Sequence, residues 1–82
     1  MKIKQVNIYQ QRLSNIRDVL LKKKSDNDSI MLNKQIDKIL LNLKEVDNVL
    51  DGAVNMGDEL NNYQDEIKEY FDYIEQIERF II

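Results

Sequence analysis

Apolar residues recur at spacings of three and four along most of the chain, which is the pattern of an amphipathic α-helix. In the first segment these positions are Val6, Tyr9, Leu13, Ile16 and Leu20. They predict a first helix over about residues 3–24. The polar run SDNDS at residues 25–29 interrupts the pattern, and such residues favour turns and helix N-caps. We therefore expect a turn there, with Asp28 or Ser29 as the N-cap of the next helix.

A second apolar stripe continues in one phase through the middle and end of the chain, with Gln64 as a polar exception. Its members are Leu32, Ile36, Ile39, Leu43, Val46, Leu50, Ala53, Gly57, Leu60, Ile67, Phe71 and Ile74. A loop would normally reset the phase. The stripe therefore favours one long second helix over about residues 29–80, bent or weakened at residues 52–57. At about 1.5 Å per residue, this helix would be about 75 Å long.

These elements predict a single all-α domain over residues 1–82, arranged as an antiparallel helical hairpin with a long second helix. The alternative is a three-helix bundle broken near Gly52–Gly57, which contains the only two glycines of the chain. Its helices would cover about residues 3–24, 29–51 and 57–81, and such a bundle suits this chain length. The sequence pattern leaves both arrangements open.

The hairpin leaves the second half of the long helix uncovered, and an exposed apolar stripe of that length predicts a binding surface. Ala53 and Gly57 lie four residues apart on the stripe and would let a neighbouring helix approach closely. The predicted partner-binding residues are Ala53, Gly57, Leu60, Ile67, Phe71, Ile74 and Glu75. The ending IEQIERFII is unusually apolar for a chain terminus, which indicates that it docks onto something.

Charge is distributed unevenly along the chain. Residues 1–24 carry seven bases and one acid, or +6, whereas residues 58–82 carry eight acids and two bases, or -6, within a net charge of -3. Opposed charges of this kind are typical of helices that pair. A bundle would join the two segments within one molecule, and an antiparallel dimer would join them between copies.

The composition argues against an enzyme. Without cysteine or histidine, the chain has no disulfide, no soft metal ligand and no histidine general base. SDNDS lacks the glycine and the distal glutamate that a calcium loop needs at fixed offsets. The acidic cluster at residues 65–72 fits a solvated helix face. We therefore expect no catalytic residues, no cofactor and no metal.

The first helix is basic, but its nearest complementary surface is the chain's own acidic end, so no nucleic acid is expected as a partner. No apolar run approaches the length of about 18 residues that a membrane span requires. The beginning MKIKQVNIYQQ lacks the apolar stretch of a signal peptide. These features predict a cytoplasmic protein, or one exported without a cleavable signal peptide.

The segment FDYIE, Phe71 to Glu75, resembles the FxxxD element of small helical proteins associated with LXG toxins, with glutamate in place of aspartate. The whole chain is also similar in architecture to the WXG100-type proteins of type VII secretion, although it has no tryptophan and therefore no WxG turn. The resemblance implies a targeting partner or chaperone that binds the helical domain of a secreted toxin, with Phe71 and Glu75 as the recognition element.

The sequence therefore predicts a non-enzymatic helical interaction protein whose partner is another helical protein. One alternative is a structural coiled coil that associates with a second copy of itself, and its dimer would loosen at high salt. A further alternative is a small regulator of a nucleic-acid process, which requires the basic helix to be free and its binding to fall steeply with salt.

Overall fold

A computed structural model describes residues 1–81, and these residues are helical apart from short connections. Helix α1 covers Ile3–Asp26 and α2 covers Ile30–Val54. A short 3-10 helix, Gly57–Tyr63, leads directly into α3, Gln64–Ile81. The prediction of an all-α fold is confirmed.

The connection between α1 and α2 is the predicted polar turn. The Ser29 hydroxyl accepts a hydrogen bond from the backbone N–H of Leu32 at 3.2 Å, so Ser29 is the N-cap of α2. The Asn27 side chain accepts a hydrogen bond from the Ser29 N–H at 2.9 Å and donates one to the carbonyl of Lys23. These short polar side chains satisfy backbone groups that the two helix ends would otherwise leave unpaired.

The second helix does not continue to residue 80, and the expectation of one helix over residues 29–80 is corrected here. The backbone turns after Val54, and Gly57 has φ of +61°, the only positive φ among residues 1–81. That conformation is accessible to glycine at little cost and disfavoured for other L-residues. The observed elements match the alternative of three helices with a break near residues 52–57, and the molecule measures 47 × 17 × 17 Å.

Helix α1 packs against both α2 and α3, so that the three helices enclose one core. The buried side chains of residues 1–81 are all apolar: Val6, Leu13, Ile16, Leu20, Ile36, Leu43, Val46, Leu50, Ala53, Leu60, Ile67, Phe71 and Ile74. Every one of them belongs to a predicted stripe. The two stripes therefore face each other inside a single chain, which removes their apolar surface from water without a partner.

Charged side chains on α1 form ion pairs with both neighbouring helices. Arg17 lies 3.6 Å from a carboxylate oxygen of Asp47 on α2, and Arg12 pairs with Glu78 on α3. The second pair joins the positive segment to the negative segment, as expected if the two segments meet within one molecule. Both pairs remain partly exposed, so each stabilises the folded chain by at most about 1 kcal/mol. Their main effect is to orient the helices relative to one another.

Candidate functional site

Most of the residues predicted to bind a partner lie in the protein's own core. Exposure is 0–7 % for Ala53, Leu60, Ile67, Phe71 and Ile74. The expectation that the stripe beyond residue 57 is uncovered is therefore corrected, because the break after Val54 folds α3 back onto α1. In this fold the chain itself covers almost all of the surface of these five side chains. Their role in partner binding stays a prediction.

Gly57 has a different position from the one expected. It is exposed, and a Cβ atom added to it would have no neighbour within 4 Å. Close approach of another helix therefore does not explain this glycine. Its φ of +61° does, because the turn needs a left-handed residue at this position.

Phe71 and Glu75, the predicted recognition element, are both held by α1. The rings of Tyr9 and Phe71 stack with centroids 3.9 Å apart and planes within 8° of parallel. The Tyr9 hydroxyl donates a hydrogen bond of 2.6 Å to Glu75. We call the group formed by Tyr9, Arg12, Phe71, Glu75 and Glu78 the α1–α3 latch. Its contacts between the two helices join residues that are 62 to 66 positions apart in the sequence.

Arg12 completes the latch. Its Nε donates to Glu78 at 3.0 Å, its Nη1 lies 3.8 Å from Glu75, and its guanidinium carbon sits 4.5 Å from the centre of the Tyr9 ring. One arginine thus bridges two carboxylates one helical turn apart and lies over the aromatic ring that stacks on Phe71. The geometry fixes the position of α3 along α1.

The electrostatics of the latch are those of a structural contact. The hydrogen bond to Glu75, together with burial, raises the pKa of Tyr9 above its ordinary value. The hydrogen bond to Glu78 raises the pKa of Arg12 as well. Both shifts favour the protonated forms, in which Tyr9 and Arg12 donate hydrogen bonds to the carboxylates of α3.

Groups of metal ligands and membrane-spanning helices are both absent from the part of the chain that the structure describes. Among residues 1–81, acidic side chains do not gather in any group of three or more that could hold a metal ion. The same residues include no helix of the length and apolar character needed to cross a membrane. The three helices also present an exposed surface to solvent.

One end of that surface is strongly apolar. The first turn of α2 and the end of α3 place four large apolar side chains there, with exposures of 75 % for Ile30, 77 % for Met31, 43 % for Leu32 and 82 % for Phe80. We call these four residues the apolar tip. Leu32 and Phe80 line the same shallow groove, whose wall also includes Ile36 and Ile39.

The apolar tip was not among the residues predicted to bind a partner, although the sequence contains a signal for it. The run IML at residues 30–32 holds three consecutive apolar residues. Since successive helical residues point about 100° apart, no single core can cover all three. The apolar ending was expected to dock onto something: Ile77 and Ile81 pack against the core of this chain, whereas Phe80 is exposed.

An exposed lysine lies on the wall of the shallow groove. Lys23, in the last turn of α1, lines the groove together with Leu32 and Phe80. Lys23 also donates a hydrogen bond of 3.1 Å to the carbonyl of Ile81, which ties the end of α3 to α1. The described wall of the groove therefore includes one cationic side chain, Lys23, and no acidic one, on a chain whose net charge is negative.

No protein-family model, curated protein or solved structure matches this chain. The resemblance to helical proteins of type VII secretion therefore stays a prediction that rests on Phe71 and Glu75. Any functional proposal has to be argued from the exposed surface and the packing of this chain alone.

Proposed function

We propose that this chain is a non-enzymatic helical interaction protein and that the apolar tip is its contact surface. The observation that carries the proposal is that Leu32 and Phe80, 43 % and 82 % exposed, line one groove. Ile30 and Met31, each 75 % or more exposed, lie in the same helical turn as Leu32. Large apolar side chains grouped in this way are a common mark of protein interaction sites. Their burial against a partner would supply the driving force for association.

The partner that fits this surface is an amphipathic helix of another protein, with acidic residues beside its apolar stripe. The groove between Leu32 and Phe80 offers a place for apolar side chains spaced along a helix. Methionine adapts to different neighbouring shapes, which suits Met31 to such a contact. Lys23 on the wall of the groove would attract an acidic side chain and help to set the orientation of the helix.

A role as targeting partner or chaperone of a secreted toxin remains part of this proposal, supported by the resemblance alone. On that hypothesis the bound helix belongs to the toxin's helical domain. Phe71 could contribute its ring face to the interface only if α3 left α1, because Tyr9 stacks on that face. Glu75 is partly exposed and accepts a hydrogen bond from the Tyr9 hydroxyl. The apolar tip needs no such rearrangement.

The test compares matched variants of the tagged protein in pull-downs from its native host, followed by binding measurements with the purified partner. Met31→Asp and Phe80→Asp introduce a charge into the tip. Leu41→Asp is the control, since Leu41 is also exposed, at 60 %, but lies in the middle of α2. All three substitutions are at exposed positions, so we expect the helical circular dichroism signal and its thermal transition to be retained.

We expect one stoichiometric protein to be recovered with the unmodified chain and with Leu41→Asp. Each tip variant should bind it at least about 10-fold more weakly, as for a residue near the centre of an interface. Equal affinity of tip and control variants for the purified partner would refute the proposed surface. Recovery of the tagged chain with only its own copies would refute the proposal of a different protein as partner.

A further inference from the structure

The stripe keeps its register across the break between α2 and α3. From Leu32 to Ile74 its positions are spaced alternately four and three residues apart, through Ala53, Gly57 and Leu60. This is the seven-residue repeat of a coiled coil. The folded-back chain does not require α3 to continue the register of α2, because the two helices are separate elements. A single continuous α2–α3 helix would require it.

Within the break, right-handed helical backbone angles are interrupted at one residue. Asn55 and Met56 both have right-handed helical backbone angles, with φ and ψ of -86° and -5° and of -74° and -25°. Among residues 1–81 Gly57 alone has a positive φ. The seven residues from Gly57 to Tyr63 form a 3-10 helix, and runs of that length are uncommon because the hydrogen bonds have poor geometry. Returning Gly57 to right-handed angles would let this segment become α-helix.

From these observations we propose that the chain forms a domain-swapped dimer, in which Gly57 straightens and α3 of each copy packs on α1 of the other. The partner is thus a second copy of this chain. The swapped interface is complementary by construction, because it repeats the contacts that Phe71 and Glu75 make with Tyr9 within one molecule. This inference goes beyond the proposed function, since it concerns α3 and not the apolar tip.

Small residues suit the centre of such a dimer. The two straightened helices would run antiparallel and cross near the former break, where Ala53 and Gly57 lie four residues apart on the stripe. In the folded-back chain nothing lies within 4 Å of a Cβ placed on Gly57, so its small size has no packing role there. In the dimer, close approach of two helices at this point would use it.

The substitution Gly57→Ala tests the proposal because it acts on both forms in the same direction. A methyl group disfavours the left-handed angles of the folded-back form and raises the helix propensity of the straightened form. Together these effects should shift the equilibrium towards the straightened form by about 30-fold per chain, and the dimerisation constant by about 1,000-fold. Gly52→Ala is the matched control: Gly52 has the same open surroundings but is helical within α2 in both forms.

The first measurement is the molar mass by size-exclusion chromatography with light scattering over a range of protein concentrations. We expect Gly57→Ala to be dimeric at concentrations at least about 100-fold below those needed by the unmodified chain and by Gly52→Ala. A Gly57→Ala protein that stays monomeric at every concentration would overturn the proposal, whether or not it is less stable.

A second measurement shows whether a dimer is swapped. Gln5 on α1 and Lys68 on α3 are exposed and line the same groove, and the chain has no cysteine of its own. Chains with Gln5→Cys and chains with Lys68→Cys, each also carrying Gly57→Ala, are unfolded together, refolded and treated with a short bismaleimide. Crosslinks between Gln5→Cys and Lys68→Cys chains are expected. A dimer without them would be an association of folded-back monomers, and the proposed exchange would be wrong.

Discussion

Replacing Phe71 with alanine separates two roles that this side chain could have. In the folded-back chain Phe71 is 7 % exposed, and its ring stacks on Tyr9 with a centroid distance of 3.9 Å. The substitution would leave a cavity between α1 and α3 and would remove the stacked pair. If Phe71 were instead a surface residue reserved for a partner, its removal would hardly change the stability of the free protein.

The expected cost follows from burial and stacking. Removing a buried phenylalanine side chain typically lowers the free energy of unfolding by about 3–5 kcal/mol. A stacked aromatic pair accounts for about 0.5–1.5 kcal/mol of that amount. A domain of this size is stabilised by about 4–12 kcal/mol in all. Phe71→Ala should therefore remove a large share of the total, and Phe71→Leu, which keeps much of the apolar volume, should cost about 1–1.5 kcal/mol.

The assay is urea unfolding followed by circular dichroism at low protein concentration, so that self-association does not contribute. Phe80→Ala is the control, because Phe80 lies on the same helix and is 82 % exposed. Its free energy of unfolding should change by no more than about 0.5 kcal/mol. We expect the order Phe80→Ala, Phe71→Leu, Phe71→Ala from least to most destabilised. Equal unfolding midpoints for the two alanine variants would show that α3 does not pack on α1 as described.

Three further outcomes are expected. A double-mutant cycle on Arg12 and Glu78 should give a coupling free energy of about 0.5–1 kcal/mol that falls as salt is added, because the pair is partly exposed; a coupling that is independent of salt would contradict this. Since the pKa of Tyr9 is raised in the folded chain, its stabilising contribution should be complete below pH 10 and should be lost as the pH rises through the raised pKa. Urea unfolding at pH 8 and pH 11 should therefore show a larger loss of stability for the unmodified chain than for Tyr9→Phe. Ser29→Ala should lower the free energy of unfolding by about 1 kcal/mol through loss of the N-cap of α2, with Ser14→Ala, in the middle of α1, as the control.

Periodicity alone was enough to predict α1 and the buried faces of α2 and α3, although it favoured one long helix where the structure has two. The first stripe predicted α1 except for its last two residues. The polar run after it predicted the turn and offered Ser29 as the N-cap of α2. These features depend on local chemistry: the side chains that repeat on one face, and the oxygen that satisfies a free N–H at a helix end. Local features of this kind are encoded within a few residues of where they act.

The path of the chain after Val54 depended on information that periodicity does not contain. A repeat of apolar residues specifies which face is buried but not which surface covers it. Here a single residue, Gly57, adopts a left-handed conformation that glycine permits and does not require. Phe71 consequently became part of the core, and Phe71 and Glu75 became part of the α1–α3 latch.

The latch and the apolar tip were likewise decided by the tertiary structure. Tyr9 and Arg12 meet residues 62 to 66 positions away, and nothing local to either segment specifies that pairing. The sequence by itself determined that the chain is helical and which positions form the apolar faces. Only the tertiary structure decided that α3 covers its own chain and leaves Ile30, Met31 and Phe80 exposed. Packing of α3 on α1 of the same chain is favoured because closing a short loop costs less entropy than binding a separate molecule.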